Sequence, residues 1–518
     1  MVDGDTPATV DFREGNMNDS GDLRYEYTVE PSNDDDIDDD GVLYGEPEFA
    51  SSKKEYSFTD LGWAERFADY ARGKALHVSG WGWMVYDGKK WRVDIGDKMC
   101  RNQAAYLARR TAQNLLDESF LALKRGEITD EALSKVRRAL RGAESVKSVS
   151  NMLKHAEHLL PADADEFDHD PMLFNAANGT VDLRTGELRE HSPDDMITKC
   201  SSVAYKPDAT CPTWDRFLED IIPDKEIRDF VQTALGYSLT ADTREQLMFF
   251  AHGTGANGKS TLLDAMVRIL GDYAVSVQGD LLVSRIETSN TLSGIARLHG
   301  ARLALVSETD EDAYFEEAKI KALTGDELVN AKRLYQDVFS FRPSHKIWFA
   351  TNHKPRVKGI DHGFWRRMAL IPFEVTINEE QRDKELPHKL REEDEGILAW
   401  AIRGAKKWFA DGLRLPNAMV TARNEYRTDQ DLIGQWIEQN TISDIRLSAS
   451  ASDLYQDYSQ WCQEQGLRAV SQKKLGDRLK EKGYFQTRTK TSRQWSGIGL
   501  VSKNPGYADA EKNEFFLG

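Results

Sequence analysis

The feature that most constrains this chain is the glycine-rich segment 253–260, which reads Gly-Thr-Gly-Ala-Asn-Gly-Lys-Ser. It fits the pattern G-x-x-x-x-G-K-[ST] without a mismatch. A short apolar run precedes it, and apolar residues at helical spacing follow it. Glycines let backbone N–H groups curl around phosphate oxygens, and a helix beginning there points its positive end at them. The segment therefore predicts a strand, a phosphate-binding loop and a helix.

The loop supplies the candidate nucleotide-binding residues. Lys259 would neutralise charge on the β- and γ-phosphates of ATP, and Ser260 would ligate Mg²⁺. A glycine-rich turn that matches by chance is the alternative. The full set of candidates is Gly253, Thr254, Gly255, Ala256, Asn257, Gly258, Lys259, Ser260 and Thr261.

Three later segments place polar residues next to short apolar runs. The run 303–306 is followed by Ser307 and Glu308, and we expect Glu308 to polarise the attacking water. The run 347–351 ends at Asn352, which could bind the γ-phosphate or that water. The alternatives are an exposed glutamate after a core strand, and an asparagine that caps a turn.

Two arginines, Arg366 and Arg367, come immediately before the apolar run 368–373. Arginine suits planar, multidentate contact with phosphate, and Arg367 is the preferred candidate for reaching a neighbouring subunit's nucleotide. Surface salt bridging is the alternative. Because these apolar runs alternate with helical stretches, the fold class predicted for 214–430 is an α/β sheet.

The N-terminal part differs from the rest of the chain in its charge and its predicted secondary structure. Residues 1–55 contribute −13 of the formal net charge of −18, which leaves −5 for residues 56–518. We expect a disordered acidic tail over 1–55, either solvated without a partner or docking a basic one. Residues 56–213 predict a mainly helical domain with small β elements, among them a hairpin that turns at Asp87-Gly88.

The C-terminal segment 431–518 predicts a small winged-helix domain. Residues 466–503 hold ten bases and two acids, which stands out in an acidic protein. Such a surface would bind DNA phosphates with salt-dependent affinity, whereas a packing domain with a solvated basic face is the alternative. Its candidate DNA-binding residues are Lys473, Lys474 and Arg478 on the helix, and Arg488, Lys490 and Arg493 on the wing.

The order and spacing of Lys259, Glu308, Asn352 and Arg367 resemble superfamily 3 helicases, whose ATPase core is AAA+-like. Residues 321–327 and 330–335 are similar to the motif that leads into a hairpin lining the central DNA channel of those helicases. Carried over by position, Lys332, Arg333 and Tyr335 become channel-hairpin candidates, with a helix face carrying ordinary charges as the alternative.

Segments 59–66 and 178–188 narrow the resemblance to the phage and plasmid primase-helicase family and its poxvirus relatives, over roughly residues 56–505. The resemblance implies an ATP- and Mg²⁺-dependent hexameric ring that translocates on single-stranded or forked DNA. Many members carry a primase domain before this region. Only the 55 residues of the acidic tail precede the match here, too few for such a domain, so we expect a separate primase or polymerase as partner.

A second functional class stays open, namely an origin-binding initiator or loader that assembles on DNA without processive unwinding. A small-molecule kinase is disfavoured, because it would need neither Arg367 nor a basic C-terminal domain. No apolar run approaches the length of a membrane span, and no Cys-x-x-Cys pair is present. We therefore expect a cytoplasmic protein with no membrane partner.

Overall fold

The computed structural model describes residues 56–94, 103–283, 289–306, 314–333, 337–357, 362–467, 469–488 and 493–504. The chain divides into two compact units. The first comprises Met1–Asp182 and Glu187–Tyr205, and the second comprises Leu183–Gly186 and Lys206–Gly518. The predicted tail, residues 1–55, lies outside the described residues.

Among the described residues, the first unit has four helices, three of which have polar N-caps. The side chains of Thr59, Thr129 and Ser145 each accept a hydrogen bond from a backbone N–H in the first turn of a helix. Apolar side chains such as Phe67, Leu133 and Met152 form their shared core. The helices are α1 (Asp60–Tyr70), α2 (Gln103–Lys124), α3 (Asp130–Ala143) and α4 (Val146–Ala156).

Two small sheets complete this unit. The first has the order β3-β2-β1-β4, with β2 and β3 antiparallel, so the predicted hairpin at Asp87-Gly88 is confirmed. The second is an antiparallel meander in the order β5-β6-β7. The strands are β1 (Ala75–Val78), β2 (Gly82–Tyr86), β3 (Trp91–Val93), β4 (Pro161–Ala162), β5 (Leu173–Ala176), β6 (Gly179–Asp182) and β7 (Glu187–Arg189).

The second unit is organised around a parallel sheet. Among the described residues its strand order is β14-β8-β13-β10-β9, and every neighbouring pair is parallel. The predicted α/β class with a parallel sheet is therefore confirmed for this unit. Its strands are β8 (Met248–His252), β9 (Ala274–Val277), β10 (Leu303–Val306), β13 (Lys346–Thr351) and β14 (Met368–Pro372).

Helices and one hairpin surround this sheet. The hairpin pairs β11 (Val329–Lys332) with β12 (Val338–Phe341) in antiparallel register. The helices are α5 (Pro212–Ile221), α6 (Lys225–Tyr237), α7 (Lys259–Leu270), α8 (Asp280–Val283), α9 (Ser289–Ala296), α10 (Glu317–Leu323), α11 (His362–Trp365), α12 (Leu386–Glu392), α13 (Asp394–Asp411) and α14 (Asn417–Gln430).

Buried cations stand at the amino end of two sheet strands. Arg302 donates to the carbonyl of Leu239 at 2.7 Å, and the ammonium of Lys346 donates to the carbonyl of Thr240. Both side chains are buried, and both carbonyls lie just beyond the last turn of α6. Carbonyls at the end of a helix lack partners within it, so these hydrogen bonds fix α6 against this edge of the sheet. Burial, followed by the neighbouring Arg302 guanidinium, lowers the pKa of Lys346 well below its usual range.

The last part of the second unit has a core of its own, which includes Trp436, Tyr458 and Trp495. Three of its strands form an antiparallel sheet in the order β16-β18-β17. The elements are α15 (Leu432–Asn440), β15 (Thr441–Ile442), β16 (Ser448–Ser450), α16 (Ala451–Glu464), α17 (Gln472–Glu481), β17 (Phe485–Arg488), β18 (Arg493–Ser496) and β19 (Gly499–Leu500).

Helices α6 and α13 approach each other through glycines. A Cβ atom added at Gly404 would lie 2.2 Å from the carbonyl oxygen of Gln232. A Cβ atom added at Gly236 would lie 2.1 Å from the backbone nitrogen of Ala405. Both distances are far below van der Waals contact, so only glycine permits this helix pairing.

Substitution of Gly404 by alanine tests that packing. We expect Gly404→Ala to destabilise the protein by about 1–3 kcal/mol, because backbone must move to admit the methyl group. The matched control is Gly294→Ala in α9, whose added Cβ would meet only the Leu281 side chain at 3.7 Å. Thermal denaturation followed by circular dichroism measures both. Equal melting temperatures for the two variants would contradict the packing argument.

Candidate nucleotide and DNA sites

The loop between β8 and α7 adopts left-handed backbone conformations at three positions. Gly255, Ala256 and Gly258 have φ values of 98°, 47° and 80°. The carbonyl of Ala256 accepts a hydrogen bond from the N–H of Ile377 at 2.7 Å, which holds this turn. Such a curled backbone directs successive N–H groups toward one point, as an anion requires.

Two glycines of the loop are needed for close packing. A Cβ atom added at Gly253 would lie 2.2 Å from the carbonyl oxygen of Phe373. At Gly258 it would lie 2.6 Å from a methyl carbon of Ile221 in α5. The glycine spacing in the sequence thus has a steric reason on each side of the loop.

Lys259 is the first residue of α7, and its side chain is buried. Its Nζ donates to the carbonyl oxygen of Gly253 at 2.7 Å and to Oδ1 of Asn352 at 3.0 Å. Asn352 directly follows β13, which pairs with β8 in the sheet. The fold therefore brings together Lys259 and Asn352, two candidates that are 93 residues apart in the sequence.

The first turn of α7 also carries the candidate metal ligand. Ser260 is exposed, and Thr261 beside it is half-buried. A hydroxyl at this place is an oxygen ligand of the type that Mg²⁺ accepts. The curled backbone, the buried ammonium of Lys259 and this hydroxyl fit a Mg²⁺-triphosphate in donor type and charge.

Glu308 lies outside the described residues, so its predicted role as the water-polarising carboxylate stays a prediction. The strand that leads to it is described, since β10 ends at Val306 and pairs in parallel with β13.

Arg367 lies at the opposite edge of the sheet from Lys259 and Asn352. It directly precedes β14, and Met368 pairs with Met248 at the start of β8. Arg367 therefore lies beside Leu247, and the loop begins six residues later at Gly253, which is roughly 20 Å away at about 3.3 Å per residue. The structure thus does not bring Arg367 to the loop of its own chain.

The side chain of Arg367 is held by neutral oxygens. Its Nη1 donates to the carbonyl of Gly363 at 2.9 Å, and its Nη2 donates to Oε1 of Gln246 at 3.1 Å. Burial, followed by the nearby Arg366 guanidinium, lowers the pKa of Arg367 from its usual range. No feature of the sequence pointed to Gln246, because its contact depends on two strands lying side by side.

Residues 329–332 and 338–341 form a β-hairpin in the structure and not a helix face, whereas the predicted role of this hairpin in a DNA channel stays a prediction. Lys332 ends β11 and Arg333 follows it, and both side chains are exposed. The guanidinium carbon of Arg333 lies 5.3 Å from the centre of the Phe339 ring on the facing strand. Tyr335 lies outside the described residues.

The C-terminal candidates occupy the helix α17 and the β17–β18 pair, as the sequence predicts. Lys473, Lys474 and Arg493 are exposed. Arg478 forms an ion pair with Glu481, so part of its charge is already engaged. Lys490 lies outside the described residues, as does the side chain of Arg488, whose backbone belongs to β17.

One exposed aromatic on this surface was missed at the sequence level. Phe485, the first residue of β17, is 75% exposed. It begins the strand β17, and an exposed aromatic ring is a surface on which nucleic-acid bases can stack. The exposure of Phe485 could not be predicted from the sequence, because residues 485–488 have the alternating pattern of an ordinary strand.

His252, the last residue of β8, is a titratable group beside the loop that sequence analysis also missed. Burial, together with the cationic side chains of Lys354 and Lys259, lowers the pKa of His252 to about 4. A polar residue at the end of an apolar strand is the same signal that pointed to Asn352.

Two family models match the chain. Residues 64–223 match a "D5 N terminal like" domain, and residues 251–367 match a family of unknown function, DUF5906. A candidate helicase of Acanthamoeba polyphaga mimivirus is 28% identical over 320 residues, which cover 57% of this chain. These domain matches and viral relatives support a phage and viral primase-helicase family for this chain.

Two further viral relatives agree with that placement. A candidate helicase of Frog virus 3 is 23% identical and the match covers 65% of this chain. A candidate primase of African swine fever virus is 28% identical over 39% of it. The matches span 33%, 43% and 22% of the mimivirus, Frog virus 3 and African swine fever virus proteins, so each relative is much longer than the shared region.

A solved apo structure of the NrS-1 C-terminal region aligns with 57% of this chain and 77% of that one, at 14% identity. Its TM-score of 0.36 does not establish a shared fold. Among the residues that the structure describes, no helix is both long and apolar enough to cross a membrane.

The depressed pKa of His252 predicts a pH dependence of stability. The unfolded chain takes up this proton near the ordinary pKa of 6.5, whereas the folded chain does so only near about 4. Protons therefore favour the unfolded state over that window, and this residue's contribution to stability is lost as the pH falls.

We expect the melting temperature of wild type to fall more steeply between about pH 7 and about pH 5 than that of His252→Gln. His388→Gln, at an exposed position on α12, is the matched control. If the melting temperatures of wild type and His252→Gln change in parallel with pH, then His252 binds its proton equally in the folded and unfolded states.

Proposed function

We propose that this protein is an ATP-dependent DNA helicase of a viral or phage replication system, acting as a hexameric ring in the host cytoplasm. The observation that carries the proposal is the Lys259 ammonium, held between the loop carbonyl of Gly253 and the amide oxygen of Asn352. The buried Lys259 lies between a loop of the phosphate-binding type and Asn352 at the end of the neighbouring strand. This arrangement suits a nucleotide whose γ-phosphate is hydrolysed. The similarity to viral proteins named as helicases and primases supports DNA as the other substrate.

In this proposal the residues of one chain hold the nucleotide. The N–H groups of the loop and of the first turn of α7 bind phosphate oxygens, and Lys259 neutralises their charge. Ser260 would hold Mg²⁺, which supplies charge stabilisation when bound. Asn352 orients the γ-phosphate or the lytic water, and Glu308 takes the proton of that water.

Arg367 acts on the nucleotide of a neighbouring copy of the chain. It lies at the edge of the sheet opposite its own loop, roughly 20 Å away by strand length. An arginine so placed contributes to hydrolysis only across a subunit interface, where it would stabilise charge in the transition state. This requirement is the physical reason for proposing a closed ring.

Two surfaces serve the DNA. The β11–β12 hairpin, with Lys332, Arg333 and Tyr335, would move along single-stranded DNA in the channel. The C-terminal elements from α15 to β19 have the helix-and-wing order of a winged-helix unit, and we propose that their basic face binds DNA phosphates.

Loss of either nucleotide-site cation tests the proposal. We expect Lys259→Ala and Arg367→Ala each to abolish DNA-stimulated ATPase, because one removes phosphate binding and the other removes transition-state charge. Mixing the two inactive variants restores part of the activity if Arg367 acts in trans. Lys225→Ala, an exposed position on α6, is the control. Full activity of either variant contradicts the assignment.

Strand displacement on forked DNA separates the helicase from the initiator or loader. A helicase unwinds the fork with ATP, and Lys259→Ala does not. ATP hydrolysis without displacement by wild type would favour the initiator.

The C-terminal surface predicts a salt-dependent loss of DNA affinity. In the double variant Lys473→Ala/Lys474→Ala we expect weaker binding and a slope of log K against log salt that is shallower by roughly 1–2. The control is Lys406→Ala/Lys407→Ala, two exposed positions on α13. Fluorescence anisotropy with a labelled single strand measures both variants. A slope equal to that of wild type would remove these lysines from the DNA surface.

A further inference from the structure

Gln246 and the two arginines occupy equivalent places on adjacent strands. Gln246 stands two residues before β8, and Arg366 stands two residues before β14. The two strands pair in parallel, and the N–H of Met248 donates to the carbonyl of Arg367 at 2.7 Å. The three side chains therefore meet at the amino edge of the sheet.

One amide oxygen joins both guanidinium groups. Oε1 of Gln246 accepts from Nη2 of Arg366 at 3.0 Å and from Nη2 of Arg367 at 3.1 Å. An amide oxygen has two lone pairs, and here each is used by a different arginine. The acceptor is neutral, so it brings two cations together without cancelling their charge.

The arginine pair retains unused donor capacity. Within the described part of the chain, Nε of Arg367 is buried and has no hydrogen-bond partner. Each guanidinium carries five N–H donors in a rigid fork that matches the oxygens of a phosphate. Asp326 and Glu327 are the acids whose charges act on Arg367. The guanidinium of Arg342 donates to the backbone carbonyl oxygen of Asp326. The hydroxyl of Thr243 donates to the side-chain Oδ1 of Asp326.

The backbone at Gln246 is held in an unusual conformation. Its φ of 53° is in the left-handed region, which is uncommon for a residue with a long side chain. The N–H of Gln246 closes a turn onto the carbonyl of Thr243 at 2.9 Å. The preceding Glu245 accepts from the indole of Trp408 at 2.8 Å. Anchored, strained turns of this kind cluster at functional sites.

We propose that Gln246 bridges Arg366 and Arg367 into one two-arginine site for a phosphate group, with Gln246 as its positioning residue. The inference rests on the proposed function, since it assigns the phosphate to a nucleotide bound by a neighbouring copy of the chain. It adds Arg366 as a second phosphate ligand. It also explains the left-handed backbone at Gln246, which would place the amide oxygen between the two arginines.

The test uses a substitution that removes the amide without harming the fold. Glycine adopts a positive φ freely, so Gln246→Gly relieves the backbone while deleting the bridge. We expect an unchanged or higher melting temperature. We expect kcat of DNA-stimulated ATPase to fall between about tenfold and about a hundredfold, because the arginines are no longer placed together. KM for ATP stays unchanged, because the arginines act on charge that develops in the transition state, and loss of such an interaction lowers kcat alone.

A second substitution at Gln246 tests whether the neutral charge of the bridging group matters, apart from its position. Gln246→Glu keeps an acceptor at the same place but pairs both arginines with a carboxylate, so we expect kcat to fall as well. Arg366→Ala should lower kcat, whereas Arg391→Ala at an exposed position of α12 should not. Mixed with Lys259→Ala subunits, whose arginines are intact, Gln246→Gly should regain part of its activity.

A double-variant cycle decides the matter whatever the single variants do to stability. If Gln246 acts through the arginines, the effects of Gln246→Gly and Arg366→Ala on kcat are less than additive. Additive effects, or a wild-type kcat in Gln246→Gly while Arg367→Ala is inactive, overturn this inference and leave the proposed function standing. Wild-type activity in Arg367→Ala overturns the proposed function itself.

Discussion

The buried ammonium of Lys259 is the interaction on which the nucleotide site depends. A charged group removed from water is costly unless it is hydrogen-bonded, and here the carbonyl of Gly253 and the amide of Asn352 supply that compensation. The contact fixes the loop before α7 and ties it to β13. The left-handed turns at Gly255 and Gly258 follow from the same arrangement, because the chain must reverse closely around the lysine.

The parallel sheet separates the nucleotide-site candidates from the arginine pair, which lie at its opposite edges. Its carboxyl edge carries the loop, Lys259 and Asn352, whereas its amino edge carries Gln246, Arg366 and Arg367. Cations at the amino edge serve two purposes. Arg302 and Lys346 are buried and cap the end of α6, while the arginine pair is bridged by a neutral amide. Basic side chains at this edge are therefore structural at Arg302 and Lys346, whereas Arg366 and Arg367 form the phosphate site that we propose.

Much of the fold and of the site could be predicted from local pattern. The strand before the loop, the helix after it, the hairpin at Asp87-Gly88 and the helix α17 all follow from apolar periodicity and turn residues. Lys259 and Ser260 were identifiable because their motif has a steric logic that any such loop shares. Gln246 was not, since its side chain meets its partners only when β8 and β14 pair.

The sequence by itself determined the loop, the identity of its cation and the order of the elements, because these depend on neighbours within a few residues. Tertiary structure alone decided that Asn352 meets Lys259, that Arg367 faces away from its own loop, and that Gln246 joins two arginines. The physical reason is strand order. Residues between 93 and 121 positions apart in the sequence come into contact because their strands are neighbours in the sheet. No local pattern encodes which strands are neighbours or which of their ends coincide.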